Sequence, residues 1–408
     1  MEVFVARQPI FDRHLKVHGY ELLFRSSYEN AYDCPDGDRA TSTVIANSFL
    51  LIGIDALVGK KRAFINFTKN LIRNETATLL PKEIVSVEIL EDVPADPETL
   101  MACRYLKQLG YTLVMDDFVF REDLVPLIEL ADIIKIDFIN TSPADRREWI
   151  RRFGSRNLRF LAEKVETRTD FDEALELGYS FFQGYFFSKP VIISGSDVPG
   201  YKVNYLRILR EINHPALDFD RIENLIKQDV SLTYKLLKFI NSAAFGFRTR
   251  IRSVRQALVL LGLREVIKWV SLITLRGLGM DQPDELIITT VVRARFAELL
   301  APLAGFPDQG PEMFLMGLFS MLDVFIGKPM AEALNDLPIS EEIKNALLGR
   351  AGRYTELLTL VLAYEKGDWE ETIRMAGRLN VREDDLPVLY RNAVEQSNSF
   401  VSAGISRV

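Results

Sequence analysis

Cysteine is nearly missing from this chain: Cys34 and Cys103 are the only two in 408 residues. Two are too few for a disulfide framework or a Cys-rich metal site, and they suit a reducing cytosol. Histidine is almost as scarce, at three residues, a shortage that bears on the second half of the chain. A basic surplus is lacking as well. Lys and Arg number 50 against 57 Asp and Glu, a net charge of −7, whereas a general affinity for nucleic acid or for an anionic membrane needs the opposite balance. Charges or glycines interrupt every apolar stretch, "SFLLIGIDALVGKK" included, before about 18 residues, so no membrane-spanning helix is expected. The N-terminus "MEVFVARQPIFD" lacks the charged and apolar blocks of a signal peptide. A cytoplasmic protein is the expectation. With 48% hydrophobic and 26% charged residues, the composition is that of a globular protein able to bury a large core over two or three domains.

What is present is a βα rhythm up to about residue 190. Strand-like runs "VFVARQPI", "HGYELLF", "RAFINF", "IVSVEIL", "YTLVMDD", "DIIKIDF" and "LRFLAEK" alternate with helical candidates "TSTVIANSFLLIGI", "PETLMACRYLKQLG" and "TDFDEALELG". Short apolar strands spaced by helices imply a mostly parallel sheet, and about eight repeats favour a closed barrel, with ligands at the carboxyl ends of the strands. Beyond the Gly-, Ser- and Pro-rich stretch from Pro190 to Gly200, strand signals vanish and helical periodicity takes over, as in "SVRQALVLLGLREVIKWVSLITL". The expected organisation is an α/β barrel over 1–195, a linker over 196–203 and an all-α domain over 204–400.

Nearly every strand of the first half delivers a polar residue at or near its end: Glu21, Asn66, Glu88, Asp116 with Asp117, Lys135 with Asp137, Glu163 with Glu166, and Gln183. A single carboxylate at such a place is ordinarily a helix N-cap or a solvated side chain. So many acids converging on one barrel mouth would repel one another unless protons or hard cations neutralise them. Oxygen ligands of this kind suit Mg²⁺ or Mn²⁺ rather than zinc, and two such ions can activate a water while clamping a phosphate.

These residues carry a resemblance. From "RQPIFD" near residue 7 to "QGYFFSKP" ending at Pro190, ordered motifs resemble the EAL domain, the family of cyclic di-GMP phosphodiesterases. "ELLFR" matches the family's name motif, which implies Glu21 as a metal ligand and Arg25 as the arginine that meets the ligand's phosphate. By the same resemblance Asn66, Glu88, Asp116, Asp117 and Glu166 are metal ligands, Lys135 of "KID" orients the attacking water, and Asp137 meets the ligand. Glu163 of "AEKVET" is base or ligand, and Gln183 closes the site. The implied fold is a TIM-like barrel with one strand reversed, cutting one phosphodiester of cyclic di-GMP by in-line attack of water with Mg²⁺ or Mn²⁺.

The departures lie in one region. Where the family has a glycine-rich loop after the paired aspartates, this chain has Val119, Phe120, Arg121, Glu122 and Asp123, and Val and Phe resist backbone angles that glycine adopts. In the family that loop positions an aspartate on the metal and helps the domains form a homodimer; Glu91 resembles its anchoring glutamate. Leu22, Leu90 and Lys164 stand where the family has Ala, Thr and Gly, and Lys164 brings positive charge to where a metal would otherwise sit. Two readings therefore stay open: a slow phosphodiesterase, or a domain that binds the dinucleotide, or nothing, and works through partner contacts.

In the second half, "NSAAFG" (Asn241 to Gly246) followed by "IRSVRQALVLLGL" resembles the HDOD domain, a relative of metal-dependent HD phosphohydrolases without their metal site. Residues of "NSAAFG" are expected to bond backbone groups at a turn. Metal chemistry is not expected here, because an HD site needs paired histidines with aspartates: only His214 lies beyond residue 18, and Leu322 stands before Asp323 where a His-Asp pair would be. The basic run Arg248, Arg250, Arg252 and Arg255 reads as a solvated loop. The implied role is a non-catalytic output module that meets a protein partner not named by the sequence, with neither a membrane nor a nucleic acid involved.

Overall fold

A computed structural model describes residues 3–26, 54–154, 158–184, 200–214, 216–241, 251–280, 282–335 and 337–400. The chain divides into two compact units, Met1–Lys189 with Tyr364–Gly367, and Pro190–Ala363 with Asp368–Val408. The stretch 185–199 lies outside the described residues, and with it the first half of the expected linker, whose second half, 200–203, instead begins a helix over Gly200–Ile212; Cys34 and most of the helical candidate over residues 41–54 also lie outside.

The first unit is a closed barrel of eight strands in chain order: β1 (Val3–Asp12), β2 (Val17–Ser26), β3 (Arg62–Phe67), β4 (Val85–Ile89), β5 (Thr112–Met115), β6 (Ile133–Asp137), β7 (Arg159–Glu163) and β8 (Phe181–Phe182). β1 runs antiparallel to both β2 and β8, while every other pair is parallel. The sequence dictates the reversal. Only four residues separate β1 from β2, and a parallel pair needs a far longer crossover. Asp12 seals the turn: its Oδ1 accepts from the amides of His14 (2.8 Å) and Lys16 (2.9 Å). The eighth strand, only two residues long inside "FFQGYFF", is too short for an alternating pattern to announce.

Among the described residues, three long helices cover the barrel, and each carries its own start signal. α1 (Pro97–Leu109) begins with Asp96 accepting from the Thr99 amide and ends at Gly110 with φ 94°. α2 (Pro143–Phe153) has Ser142 accepting from the Asp145 amide, with Pro143 in the first turn. α3 (Arg168–Leu177) opens with a Thr167–Asp170 capping box.

The barrel interior is a packed layer. Ile10, Phe64, Val114, Ile133, Leu161 and Phe181, one residue from each of six strands, form a buried cluster. A side chain added at Gly19 would stand 2.7 Å from the Phe64 ring, so β2 contributes its hydrogen-bonding backbone there and leaves the volume to phenylalanine.

Helices make up the described part of the second unit. Its centre is formed by α4 (Leu263–Leu278), α5 (Asp284–Leu300), α6 (Gly310–Phe319) and α7 (Asp385–Phe400). α5 packs against both α6 and α7. A Cβ at Gly317 would lie 2.6 Å from Ala294 Cα, so α6 approaches α5 at backbone distance. Asn241 ties the unit together locally: its Nδ2 donates to Leu237 O (2.7 Å) and Ile251 O (2.8 Å), and its Oδ1 accepts from the Ile251 amide (2.8 Å). Ser242 to Gly246, Arg248 and Arg250 lie outside the described residues.

Candidate functional site

The site follows from strand parity. Successive side chains alternate faces, so a residue two positions beyond an interior one also points inward, one step nearer the mouth. From Phe64, Val114, Ile133, Leu161 and Phe181 of the interior cluster, that step gives Asn66, Asp116, Lys135, Glu163 and Gln183. On β6 a second step gives Asp137. Because β1 runs the other way, its step from Ile10 leads back to Gln8, which stands opposite Glu21 of β2. Glu88 of β4 stands opposite Asn66.

These side chains meet around one ammonium. Lys135 Nζ lies 2.7 Å from Asp116 Oδ1, 2.9 Å from Glu163 Oε1, 3.0 Å from Glu88 Oε1 and 3.3 Å from Glu21 Oε2. An ammonium has three protons and here faces four carboxylates, so at least one goes short. Glu88 Oε1 receives no hydrogen bond despite the nearby charge, and neither does Glu163 Oε2. Glu88 is fully buried and Glu163 is 7% exposed, so both lone pairs are lost to water. Gln183 Nε2 donates to Glu21 Oε2 (2.6 Å) and Gln8 Oε1 (3.1 Å), fixing Glu21 from the β8 side. The Asn66 amide sits among carboxylates: in one orientation it donates to Glu21 Oε1 at 3.5 Å, and turned over it donates to Glu88 Oε2 and Asp116 Oδ2, each at 3.2 Å.

The electrostatics are those of a site short of positive charge. Burial pushes the Glu88 carboxyl well above its usual range, and Glu21 and Asp116 push it further, against the pull of Lys135. Burial likewise raises Glu163 to about 8, again opposed by Lys135 and reinforced by Asp116 and Glu21. Burial works against the charge of Lys135, but the carboxylates around it prevail and keep it protonated. Ligand atoms of Glu21, Glu88 and Asp116 lie within 4.8 Å of one another, close enough to share one cation. The shortfall of donors at buried oxygens and the all-oxygen set both fit a hard divalent ion, with the Asn66 amide oxygen available as a fourth ligand.

Two expected ligands stand apart. Asp117 follows Asp116 and so takes the opposite parity; it has φ 39° and faces the rim, its Oδ1 3.6 Å from Lys164 Nζ. Glu166 is exposed on the segment after β7. Asp137 is inward but already saturated: it accepts from the amides of Ile139 (2.7 Å) and Asn140 (2.9 Å), from Asn140 Nδ2 (2.7 Å) and from Lys164 Nζ (2.6 Å). Burial pushes Asp137 up, but those hydrogen bonds hold its carboxyl below the ordinary range. The Arg25 backbone pairs with Phe4 on β1, while its side chain lies outside the described residues. Gln8 is the one site residue sequence reasoning missed, although the parity of a reversed first strand points to it.

The altered loop after Asp117 is held by aromatic anchors in place of glycine turns. Buried Phe118 meets Trp149 edge-on at 5.2 Å, and Phe120 lies 5.9 Å from Phe153 with the Arg152 guanidinium 4.2 Å above its ring. Both contacts fasten the loop to α2. A cavity of about 270 Å³ opens beside Asp116, lined in part by Ile89, Leu90, Met115, Phe118 and Leu127.

In the helical unit, Asp323 is pushed up by burial, with Leu322 buried before it. His214 Nδ1 accepts from the Ala216 amide at 3.1 Å, a local turn contact.

Fold and site together define a barrel with a buried acidic centre at the carboxyl ends of its strands, joined to a helical domain. Family profiles match the EAL domain over residues 60–190 and the HDOD domain over residues 198–337. Glu21 lies outside the first span and is tied to the site by its contacts alone. The chain is 39% identical over 412 residues to the uncharacterized protein YuxH of Bacillus subtilis (strain 168), covering 99% of this chain and 100% of that one. It is 39% identical over 372 residues to the cyclic di-GMP phosphodiesterase CdgJ of Vibrio cholerae serotype O1, covering 90% of this chain and 86% of that one. A solved structure of a standalone EAL protein from Vibrio cholerae O395, in its c-di-GMP bound form, is similar at 25% identity and a TM-score of 0.38, covering 46% of this chain and 92% of that one. The chain belongs to the family of proteins that join an EAL domain to an HDOD domain.

Proposed function

We propose that the barrel binds cyclic di-GMP at its mouth and slowly hydrolyses one of its phosphodiesters, and that the HDOD unit is a non-catalytic module meeting a protein partner. The observation that carries this reading is the convergence of Glu21, Asn66, Glu88, Asp116, Lys135, Glu163 and Gln183 on one buried centre. The name of the relative CdgJ, a cyclic di-GMP phosphodiesterase, supports the choice of substrate.

Glu21, Asn66, Glu88 and Asp116 would hold Mg²⁺ or Mn²⁺, which when bound lowers the pKa of water and neutralises charge building on the phosphate. Lys135, locked among carboxylates, keeps Asp116 and Glu163 in place and points its charge at the same centre. Glu163, its Oε1 held by Lys135 and its Oε2 without a hydrogen bond, would be the carboxylate placed to accept a proton from an attacking water. Gln183 holds Glu21 in register. The rate is expected to be low because Phe118 and Phe120 hold the neighbouring loop in a shape that glycines would not impose, and a misplacement of about an ångström costs roughly a hundredfold.

For the HDOD unit, the support is Leu322 standing before Asp323 where a metal-binding histidine would be needed. Incubating the full chain with cyclic di-GMP and Mn²⁺ tests the barrel reading. The linear dinucleotide should accumulate slowly, and no faster than background in Glu163→Gln; product formation undiminished in that variant would refute the role of Glu163.

A further inference from the structure

A two-ion phosphoester site holds its cations about 3.5–4 Å apart and needs carboxylates for both. In this barrel the acids divide into two groups. Glu21, Glu88 and Asp116 share the inner centre. The acids that remain are Glu163 at the end of β7, whose Oε1 also lies on Lys135, Asp117 after β5 and Asp137 at the end of β6, and one ammonium, Lys164, already bridges the last two, at 3.6 and 2.6 Å. Lys164 adopts φ 52° and its partner Asp117 φ 39°, left-handed angles that strain a non-glycine residue. A glycine would take this position freely. The chain instead holds a half-exposed lysine there, with its ammonium on two of the acids open to a second ion.

We propose that Lys164 is the built-in second cation of this site, so that the barrel loads a single divalent ion, on Glu21, Asn66, Glu88 and Asp116. The inference rests on the reading that the inner centre holds a divalent ion. What favours loading at the inner centre is that its buried oxygens are short of donors: Glu88 Oε1 and Glu163 Oε2 receive no hydrogen bond. Asp137, by contrast, has four donors to its two oxygens, one of them Lys164. An ammonium fixed by two carboxylates also stabilises a phosphodiester arriving at an otherwise acidic mouth, as a second ion would.

The stoichiometry can be counted without any turnover. Full-length protein is titrated with Mn²⁺, the bound ions are counted, and their electron paramagnetic resonance is recorded for wild type, Lys164→Gly, Lys164→Gln and Glu88→Gln. Glycine relieves the left-handed backbone, and glutamine keeps the side-chain length without the charge, so that one of the two serves if the other fails to fold. The expected result is one ion per chain in wild type, two in a Lys164 variant with the spectral broadening of a coupled pair, and none in Glu88→Gln. Two ions in wild type overturn the proposal and leave the metal reading standing, as does a single ion in both folded Lys164 variants. No ion in wild type sinks the metal reading itself.

Discussion

Replacing Lys135 by methionine removes the one positive charge at the heart of the barrel and keeps most of its volume. The ammonium lies within 3.3 Å of four carboxylates, three of them buried, and removing one partner from a buried ion pair typically costs about 3–5 kcal/mol. For a unit of this size that is a fall in melting temperature of roughly 6–20 °C, at about 2–4 °C per kcal/mol. The loss should depend on pH in a definite direction. Glu163, at about 8, and Glu88, well above the ordinary range, hold protons in the native state that the unfolded chain releases near 4.5. Their contribution to stability is therefore complete below about pH 4.5 and fades as pH rises, through about 8 for Glu163. Without Lys135, which pulls both groups down, they titrate still higher, and the variant suffers most above pH 8. Differential scanning calorimetry in chelator at pH 6 and pH 9, with hydrogen exchange over β5 to β7 to identify the barrel transition, measures this. Equal losses at the two pH values, or a more stable variant at pH 9, would refute the reasoning.

Glu88→Gln should raise metal-free stability progressively as pH rises above about 4.5, where the unfolded glutamate gives up the proton that burial holds in the native state, and so more at pH 9 than at pH 6; Mn²⁺ affinity, measured by calorimetry, should fall by at least about 10–100-fold. Phe118→Ala should cost about 3–5 kcal/mol and free the loop from α2, seen as a shift in Trp149 fluorescence in a chain whose other two tryptophans are replaced by phenylalanine; an unshifted spectrum would show that the aromatic contact does not hold the loop. Gly317→Ala forces a methyl against Ala294 Cα and should destabilise the helical unit by about 1–3 kcal/mol, while the exchange rates of the barrel strands stay as they were.

Much of this was legible beforehand, because a βα rhythm and polar residues at strand ends are local signals. The reversed first strand came from a resemblance, though the four-residue turn after Asp12 requires it on its own. Strand parity distinguishes Asp116 from Asp117: counting in steps of two from Val114 sends the first inward and the second to the rim. Reading the pair as one unit hid that difference. Nothing local reveals that Lys135 stands among four carboxylates, or that Lys164 reaches Asp137, because those contacts join residues from different strands. The anchoring of Phe118 and Phe120 on α2 is non-local too, and without it the loop reads only as a missing glycine turn.

The most direct test of the central claim is calorimetric titration of the full chain with cyclic di-GMP, once with Mg²⁺ and once in chelator. Saturable binding that tightens with Mg²⁺, and that weakens when Glu21 is replaced by glutamine, is the predicted outcome. No heat of binding under either condition, with the protein folded, would contradict it and leave the acidic centre without a nucleotide to serve.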